Sequence, residues 1–526
     1  MSDGDAWSVA SPARPAAQGG TRRRAAVNDR PLLALALLVA LVVLSPLSLI
    51  ALQAQHAGWH ELTTILWRAR SAMLLANTVL LAAIVAVLAA ALGIAAAWLT
   101  ERGAVPGRRL WAVLLVMPVA IPDFVVGYAW HSIAPDLSPL FGATLVMTLG
   151  TYPLVYLPVA AALRRLDPAM EETARTLGSS RLRTLMRVVL PMLRVPILGG
   201  VVLVVLTVIS EFGAFEILGY QTFTTEVFTE FKFDPAAAAA LAVPLVVLGL
   251  LVVFAEAMLP RAAPGSTRPR RPPRRRLQPL QAVAGSLALL IPIGLGIGVP
   301  VATIVYWMLQ DDHATLPASV SVAGAAWTTL RYSAIAASVT TLLALPVAFA
   351  GWRRRTAVRD AIERSGYLTR AVPGVTMALA LVFFATRYAI GIYETSTLLV
   401  AAYALLGFPL ALVCVKSSVV QLPTALVDVG RSLGRRPPSV FLRVAVPLLA
   451  PGLIAAFCLV LLETLTELTA TLVLAPIGVQ TLATQFWAFQ QNIDYASAAP
   501  YALGMIVLAV VPGTMLALWF DRDRRT

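Results

Sequence analysis

The stretch "EETARTLGSSRLRTLMRVVLPMLRVP" at residues 171–196 decides the fold, because a similar stretch, "VDVGRSLGRRPPSVFLRVAVPLLAPG", recurs at 427–452. We call these the first and second repeat loops. Both are charged and basic, and both stand between long apolar runs. Three positions keep their spacing when the first loop is moved 256 residues along the chain: Glu172 falls on Asp428, Gly178 on Gly434, and Pro191 on Pro447.

The repeat extends beyond these loops. The same displacement carries Pro153 onto Pro409 and "EFGA" at 211–214 onto "ELTA" at 467–470, while "AIP" at 120–122 falls on "AVP" at 371–373 after 251 residues. We therefore predict two homologous halves, at 31–258 and 282–520. A Pro- and Arg-rich stretch at 259–281 is typical of a solvated linker. Residues 1–30 and 521–526 are expected to be tails, the first of them disordered.

Composition indicates the surroundings of these halves. Of the 526 residues, 59% are hydrophobic and 13% are charged, which excludes an ordinary soluble globular protein. About twelve runs are long enough to cross a membrane as helices: 31–52, 73–98, 110–132, 141–163, 193–217, 235–258, 282–308, 329–351, 371–388, 395–415, 449–470 and 498–520. The predicted fold is thus an all-α integral membrane protein with two parallel six-helix repeats. A pseudo-two-fold axis along the membrane normal would relate them.

The distribution of positive charge indicates how the chain is oriented in the membrane. Of the 41 Lys and Arg residues, 36 fall in alternate loops, beginning with the N-terminal tail. This asymmetry predicts that both termini and both repeat loops are cytoplasmic. It favours membrane lipid over nucleic acid as the partner of the basic residues. The apolar run after Arg30 is too long for a signal-peptide core, so we expect an uncleaved first helix.

Each repeat loop has the pattern of two short helices. In the first, Asp167 can cap a helix on which Met170, Ala174 and Leu177 share a face, and Gly178 can end it. A second helix capped by Ser179 or Ser180 is expected to end at Pro191. The apolar face predicts a docking surface. The alternative is an amphipathic connector lying at the lipid interface, which does not explain why the spacing is kept in both halves.

The residues Glu-Thr-Ala at 172–174, Gly178 and Leu190-Pro191 resemble the EAA loop of permease subunits in binding-protein-dependent ABC importers. The resemblance implies that each loop couples to one of two copies of a cytoplasmic ATP-binding subunit, and that a periplasmic solute-binding protein delivers the solute. The second copy departs from the pattern with Asp-Val-Gly at 428–430, so the two subunits are expected to be held unequally. The residues implied to couple are Glu172, Ala174, Gly178, Pro191, Asp428, Gly430, Gly434 and Pro447.

The chain carries no phosphate-binding loop of its own. Such a loop needs a lysine preceded by glycine and followed by Ser or Thr. Of the two lysines, Lys232 precedes Phe233, and Lys416 follows Val415. We therefore expect a permease without enzymatic activity and without a cofactor, whose energy comes from ATP hydrolysed by a partner.

Four carboxylates fall within predicted spans: Asp123, Glu211, Glu463 and Glu467. Charged groups at this depth usually face a cavity or a partner, so we predict that these four line the translocation pathway. The alternative is that they cap helices or hold the bundle together through hydrogen bonds.

The stretch "ELTATLVLAPIGVQTLATQFW" at 467–487 resembles the ferric-iron branch of these permeases, in which fused double-length chains are common. A row of carboxylates suits a hard cation, although the sequence assigns no metal ligands. The predicted function is import of a solute, ferric iron first, across the bacterial inner membrane by alternating access. Thiamine, polyamine or phosphonate permeases remain alternatives, as do an ion-coupled secondary transporter and, with less support, a membrane enzyme.

Overall fold

The computed structural model describes residues 30–103, 105–258, 278–310, 321–352, 356–435 and 437–522. The predicted N-terminal tail and most of the predicted linker lie outside these residues. Within the described ranges, all regular elements are helices. Ten helices are long and apolar enough to cross a membrane, and two bent pairs raise the number to twelve if each pair counts as one span. This confirms the predicted all-α, two-half membrane fold.

The helices of the first half are α1 (Arg30–Ala57), α2 (Trp59–Leu66), α3 (Ala69–Glu101), α4 (Arg108–Leu114), α5 (Asp123–Ile133), α6 (Pro139–Arg165), α7 (Pro168–Thr176), α8 (Arg181–Thr184), α9 (Leu190–Ser210), α10 (Gly213–Ile217), α11 (Phe223–Phe231) and α12 (Pro235–Met258).

Those of the second half are α13 (Pro279–Ile293), α14 (Val299–Met308), α15 (Val322–Ala350), α16 (Ala357–Leu368), α17 (Gly374–Tyr388), α18 (Ser396–Gln421), α19 (Thr424–Ser432), α20 (Pro437–Val440), α21 (Val446–Leu465), α22 (Thr469–Leu474), α23 (Leu482–Gln491) and α24 (Tyr495–Arg522).

The two halves are built alike. Helices α3, α6 and α9 pack on one another, as do α15, α18 and α21 at the equivalent positions. A hydrogen bond repeats as well: the Thr78 hydroxyl accepts from the backbone N–H of Phe223 at 3.3 Å, and the Thr329 hydroxyl accepts from that of Leu482 at 2.9 Å. Thr78 and Thr329 are 251 residues apart, which extends the sequence repeat into α3 and α15.

The first helix of each half packs against the other half. Helix α1 lies on α15, α16 and α17 as well as on α12 of its own half, and most of its buried residues belong to the apolar core of the second half. Helix α14 lies on α5, and Leu289, Ile293 and Ile304 join the core of the first half. The Trp307 indole donates to the Ser132 hydroxyl at 3.0 Å across this contact. Each half is therefore completed by a helix from the other.

Two predicted spans are bent rather than straight. The expected span 110–132 divides into Arg108–Ala120 and Asp123–Ile133, which meet at 89°. The expected span 371–388 belongs to Ala357–Ala371 and Gly374–Tyr388, which meet at 108°. Both bends coincide with the repeated "AIP" and "AVP", because Pro122 and Pro373 lack the N–H that would continue the helix.

The prediction that a helix ends at Pro191 is wrong. The chain runs as a helix from Arg181 to Ser210, with a π-helical turn at Leu185–Val189. Further π turns occupy Gly294–Gly298 and Phe441–Ala445, and the described chain has Pro191, Pro300 and Pro447 two residues after the ends of these turns. A wider turn relieves the clash between the proline ring and the carbonyl one turn earlier. The second helix of each repeat loop is therefore continuous with a membrane helix.

Candidate functional site: a charged cavity between the halves and two exposed loops

A cavity of about 190 Å³ lies where the two halves meet. Helices α5, α9 and α10 of the first half line it, together with α17, α18 and α21 of the second. Three of the four predicted pathway carboxylates are on its wall: Glu211, Glu463 and Glu467. The structure thus brings these three residues to one space between the halves, while their part in translocation stays a prediction.

Glu211 and Glu467 also hold local structure. Each stands in the break between a long helix and a short one, where the first backbone N–H groups of the short helix need acceptors. The Oε1 atom of Glu211 accepts from the N–H of Ala214 at 2.8 Å, and that of Glu467 accepts from Ala470 at 2.9 Å. The capping alternative raised by the sequence therefore holds for both residues, alongside their place on the cavity wall.

Arg370 is a cavity residue that the sequence argument missed. The sequence places it among the loop cations because it precedes a predicted span, but the bend between α16 and α17 brings it to the cavity wall, which it shares with Glu463. The Nε atom of Arg370 and the Oε2 atom of Glu463 are both buried and without a hydrogen-bond partner. Their charges attract each other. The equivalent residues of the first half are Val119 and Thr207, so this charge pair belongs to one half alone.

Asp123, the fourth predicted residue, lies beside the cavity rather than on its wall. Its carboxylate occupies the space that a side chain at Gly150 would fill, and it is close enough to Glu211 for the two charges to repel. At the equivalent positions the second half has Gly374 and Leu406. The glycine is therefore the second member of the pair in the first half and the first member in the second half, and the carboxylate is present in the first half alone.

Aromatic side chains join the halves next to the cavity. Phe124, which lines the cavity, packs on Phe486 with ring centres 5.5 Å apart, and Phe212 packs on Trp487 at the same separation. The Tyr128 hydroxyl donates to the backbone carbonyl of Tyr495 at 2.6 Å. Each of these contacts joins a residue of the first half to one of the second. The cavity is therefore formed by both halves together.

The first repeat loop has the predicted local structure. The Asp167 carboxylate accepts from the N–H of Ala169 at 3.0 Å, and Gly178 ends α7 with a φ of +82°. Glycine adopts this left-handed conformation at little cost. Ser180 is the residue that accepts from the N–H of Arg183, at 3.4 Å. Leu177 is 81% exposed, so a large apolar side chain stands at the surface beside the turn.

The second repeat loop has the same form. Gly434 ends its first helix with a φ of +74°, and Leu433 beside it is 76% exposed. Gly430 packs against the buried Val440, where the first loop has Ala174 and Thr184. Asp428 lies on α19, and its side chain is outside the described part of the chain. The two loops therefore expose apolar residues at equivalent positions but pack differently beneath them.

Groups of three or more His, Cys, Asp or Glu side chains able to hold a metal ion do not occur among the residues that the structure describes.

The fused halves, the central cavity and the paired loops define a two-half membrane permease. Residues 92–263 and 340–525 each match the family described as the inner membrane component of binding-protein-dependent transport systems. The two matches together cover more than half of the chain, and the chain belongs to this family.

Relatives extend the match over most of the chain. The Fe(3+)-transport system permease protein FbpB 2 of Haemophilus influenzae is 35% identical over 491 residues, which cover 92% of this chain and 97% of that protein. The ferric transport system permease protein FbpB of Actinobacillus pleuropneumoniae is 20% identical, over 88% of this chain and 73% of its own. The sulfate transport system permease protein CysT of Salmonella typhimurium is 29% identical, over 41% of this chain and 87% of its own.

Proposed function

We propose that the protein imports ferric iron across the bacterial inner membrane as the permease of an ATP-driven, binding-protein-dependent transporter. The observation that carries this proposal is the match to the Fe(3+)-transport permease over 92% of the chain, including both halves. A binding protein on the outer side delivers the solute, and two copies of an ATP-binding subunit supply the energy. Both termini and both repeat loops face the cytoplasm, as the distribution of Lys and Arg indicates.

The repeat loops are the proposed docking sites for the ATP-binding subunits. Leu177 and Leu433 give each loop an exposed apolar side chain beside a glycine turn, and burying it against a partner would contribute about 1.5–3 kcal/mol. Because α8 and α20 continue into the membrane helices α9 and α21, movement of a docked subunit passes directly to helices that line the cavity. This continuity supports alternating access by rigid-body rotation of one half against the other.

In this proposal Glu211, Glu463 and Glu467 lie on the translocation pathway, and Asp123 acts through Glu211. Ferric iron is a hard cation that prefers oxygen ligands. Four carboxylates against one arginine leave the pathway acidic and favour a cation. In this proposal the carboxylates attract the ion, and selection rests with the binding protein.

An oxyanion, such as a phosphonate, is the second candidate. Arg370 favours it, since its buried Nε has no hydrogen-bond partner and stands on the cavity wall. A guanidinium is well suited to oxyanions. Uptake of labelled phosphonate, but not of ferric iron, by cells expressing the complete transporter would favour this candidate.

The coupling proposal is tested by Gly178→Asp. A side chain at Gly178 meets nothing within 4 Å, so the variant adds a charge to the loop surface without a clash inside the permease. Gly58→Asp is the matched control. Gly58 has a similar φ of +88°, a side chain there also meets nothing within 4 Å, and it directly follows the C-terminal end of α1, away from the repeat loops. We expect Gly178→Asp alone to lose the co-purifying ATP-binding subunit. Retention of the subunit by both variants would contradict docking at this loop.

A further inference from the structure

A salt bridge ties the first repeat loop to the membrane helices. Arg102, at the end of α3, lies with its Nη2 atom 2.7 Å from Oε1 of Glu171, in the first turn of α7. The side chains are 8% and 21% exposed. The Arg102 N–H groups are not aligned with this oxygen, and its three side-chain nitrogens are without hydrogen-bond partners. Glu171 is therefore the group that compensates a buried cation.

The preceding residue makes a second connection. Glu101 pairs with Arg164, in the last turn of α6, at 2.8 Å and with Arg108, at the start of α4, at 3.6 Å. Helix α6 ends one residue before Leu166, and α7 begins two residues after it. Glu101 and Arg102 thus fix the two helices on either side of this short connection, so α7 cannot tilt without moving the end of α3.

In sequence, the second half lacks the two carboxylates of this arrangement. With the displacements that relate the halves, Glu101 corresponds to Trp352, Glu171 to Val427 and Arg164 to Val420. Both carboxylates are replaced by apolar residues. The second half instead pairs Glu363 of α16 with Lys416 of α18, a contact that does not include the second repeat loop. Gly430 of α19 packs closely against Val440.

We propose that the Arg102–Glu171 salt bridge is the link through which the first repeat loop moves α3, so that the two loops drive their halves by different means. The first loop acts through paired charges and the second through apolar packing. This proposal rests on the proposed coupling function. Arg102 and Glu171 are positioning residues in it, since neither needs to touch the solute or the ATP-binding subunit.

The stability of the permease and the coupling of transport to ATP hydrolysis are expected to respond differently when these charges are removed. Removing Glu171 alone leaves the buried Arg102 cation without its countercharge, which is strongly destabilising, whereas removing both charges leaves nothing uncompensated. A purely structural salt bridge therefore predicts that the double-neutral variant recovers in every respect. A coupling link predicts that the double variant recovers stability while transport stays disconnected from ATP hydrolysis.

The test uses the complete complex of permease, ATP-binding subunits and iron-loaded binding protein in proteoliposomes. Ferric iron taken up per ATP hydrolysed and thermal unfolding are measured for Glu171→Gln, Arg102→Gln and the double variant. We expect uptake per ATP to fall about tenfold in all three, the equivalent of one charge-assisted contact, and stability to recover in the double variant. Glu363→Gln, which breaks the other half's pair, is expected to lose stability but keep the uptake ratio.

A double variant with the wild-type ratio would overturn the proposal, and so would an equal loss in Glu363→Gln. The Gly178→Asp variant shows whether a negative result concerns the salt-bridge link or the docking of the ATP-binding subunit at the loop. If Gly178→Asp retains its ATP-binding subunits and its uptake, docking at the loop is wrong. If Gly178→Asp fails as expected while Glu171→Gln keeps the normal ratio, docking stands and the salt-bridge link is wrong.

Discussion

Glu211 and Glu467 make the same hydrogen bond at equivalent positions of the two halves. Each accepts from the backbone N–H three residues later, at 2.8 Å to Ala214 and 2.9 Å to Ala470, and each lies on the wall of the central cavity. The bond needs one carboxyl oxygen and no charge. The capping role and the pathway role can therefore be separated by substitution.

Replacing both residues with glutamine is expected to keep the caps and remove the charges. A glutamine carbonyl can accept the same bond, so we expect an unchanged unfolding temperature and iron uptake lowered by about tenfold, equivalent to roughly 1.4 kcal/mol. Alanine at either position removes the cap and costs about 1 kcal/mol of stability. Thermal unfolding and radiolabelled uptake distinguish these effects. Normal uptake by the glutamine variants would mean that the two residues serve as caps alone.

Arg370 and Glu463 are expected to depend on each other. Neutralising either one leaves the other charge buried without its neighbour, which costs about 1–3 kcal/mol. The double variant Arg370→Val with Glu463→Thr copies the first half's Val119 and Thr207, and we expect it to regain the stability lost in the single variants. Thermal unfolding of the purified permease checks this coupling. Additive losses in the double variant would show that the two side chains act independently.

Gly430 is expected to be intolerant of alanine unless Val440 is also changed. A Cβ at Gly430 would stand 3.1 Å from one methyl of Val440 and 3.2 Å from the other, and overpacking of this kind costs about 1–3 kcal/mol. The further change Val440→Ala removes both methyls, so the pair Gly430→Ala with Val440→Ala should restore retention of the ATP-binding subunit. Retention unaffected by Gly430→Ala alone would contradict this packing.

A side chain at Gly150 is expected to displace Asp123. An alanine Cβ there would overlap the Asp123 carboxylate, so Gly150→Ala should lower both stability, by about 1–3 kcal/mol, and iron uptake. The further change Asp123→Gly makes room and should recover stability without recovering uptake, because the carboxylate next to Glu211 is lost. Full recovery of uptake in this double variant would remove Asp123 from the pathway.

The sequence predicted the architecture because the repeat is preserved at positions with strict local requirements. Gly178 and Gly434 both need a positive φ, and Pro122 and Pro373 both interrupt a helix. Their recurrence gave the number of halves and the location of the loops. Pro122 and Pro373, the last residues of "AIP" and "AVP", also indicate the two bent spans. Hydropathy alone predicts straight helices at these places.

Long-range packing was not predictable in this way. Nothing in the pattern of α1 indicates that it packs on α15 and α17 of the other half as well as on α12 of its own, because these neighbours are similarly apolar. Arg370 was misplaced for a related reason: its position near a predicted span boundary suited a loop cation, and only the 108° bend brings it to the cavity. The Arg102–Glu171 pair likewise joins residues that α4, α5 and α6 separate in the sequence.

The most direct test of the account is uptake of radiolabelled ferric iron into proteoliposomes that contain the permease and its ATP-binding subunits. Iron-loaded binding protein is added outside and ATP is enclosed inside. The account predicts iron accumulation that requires ATP and is abolished by Gly178→Asp but not by Gly58→Asp. Absence of iron accumulation, while the binding protein still stimulates ATP hydrolysis when loaded with another solute, would contradict ferric iron as the substrate.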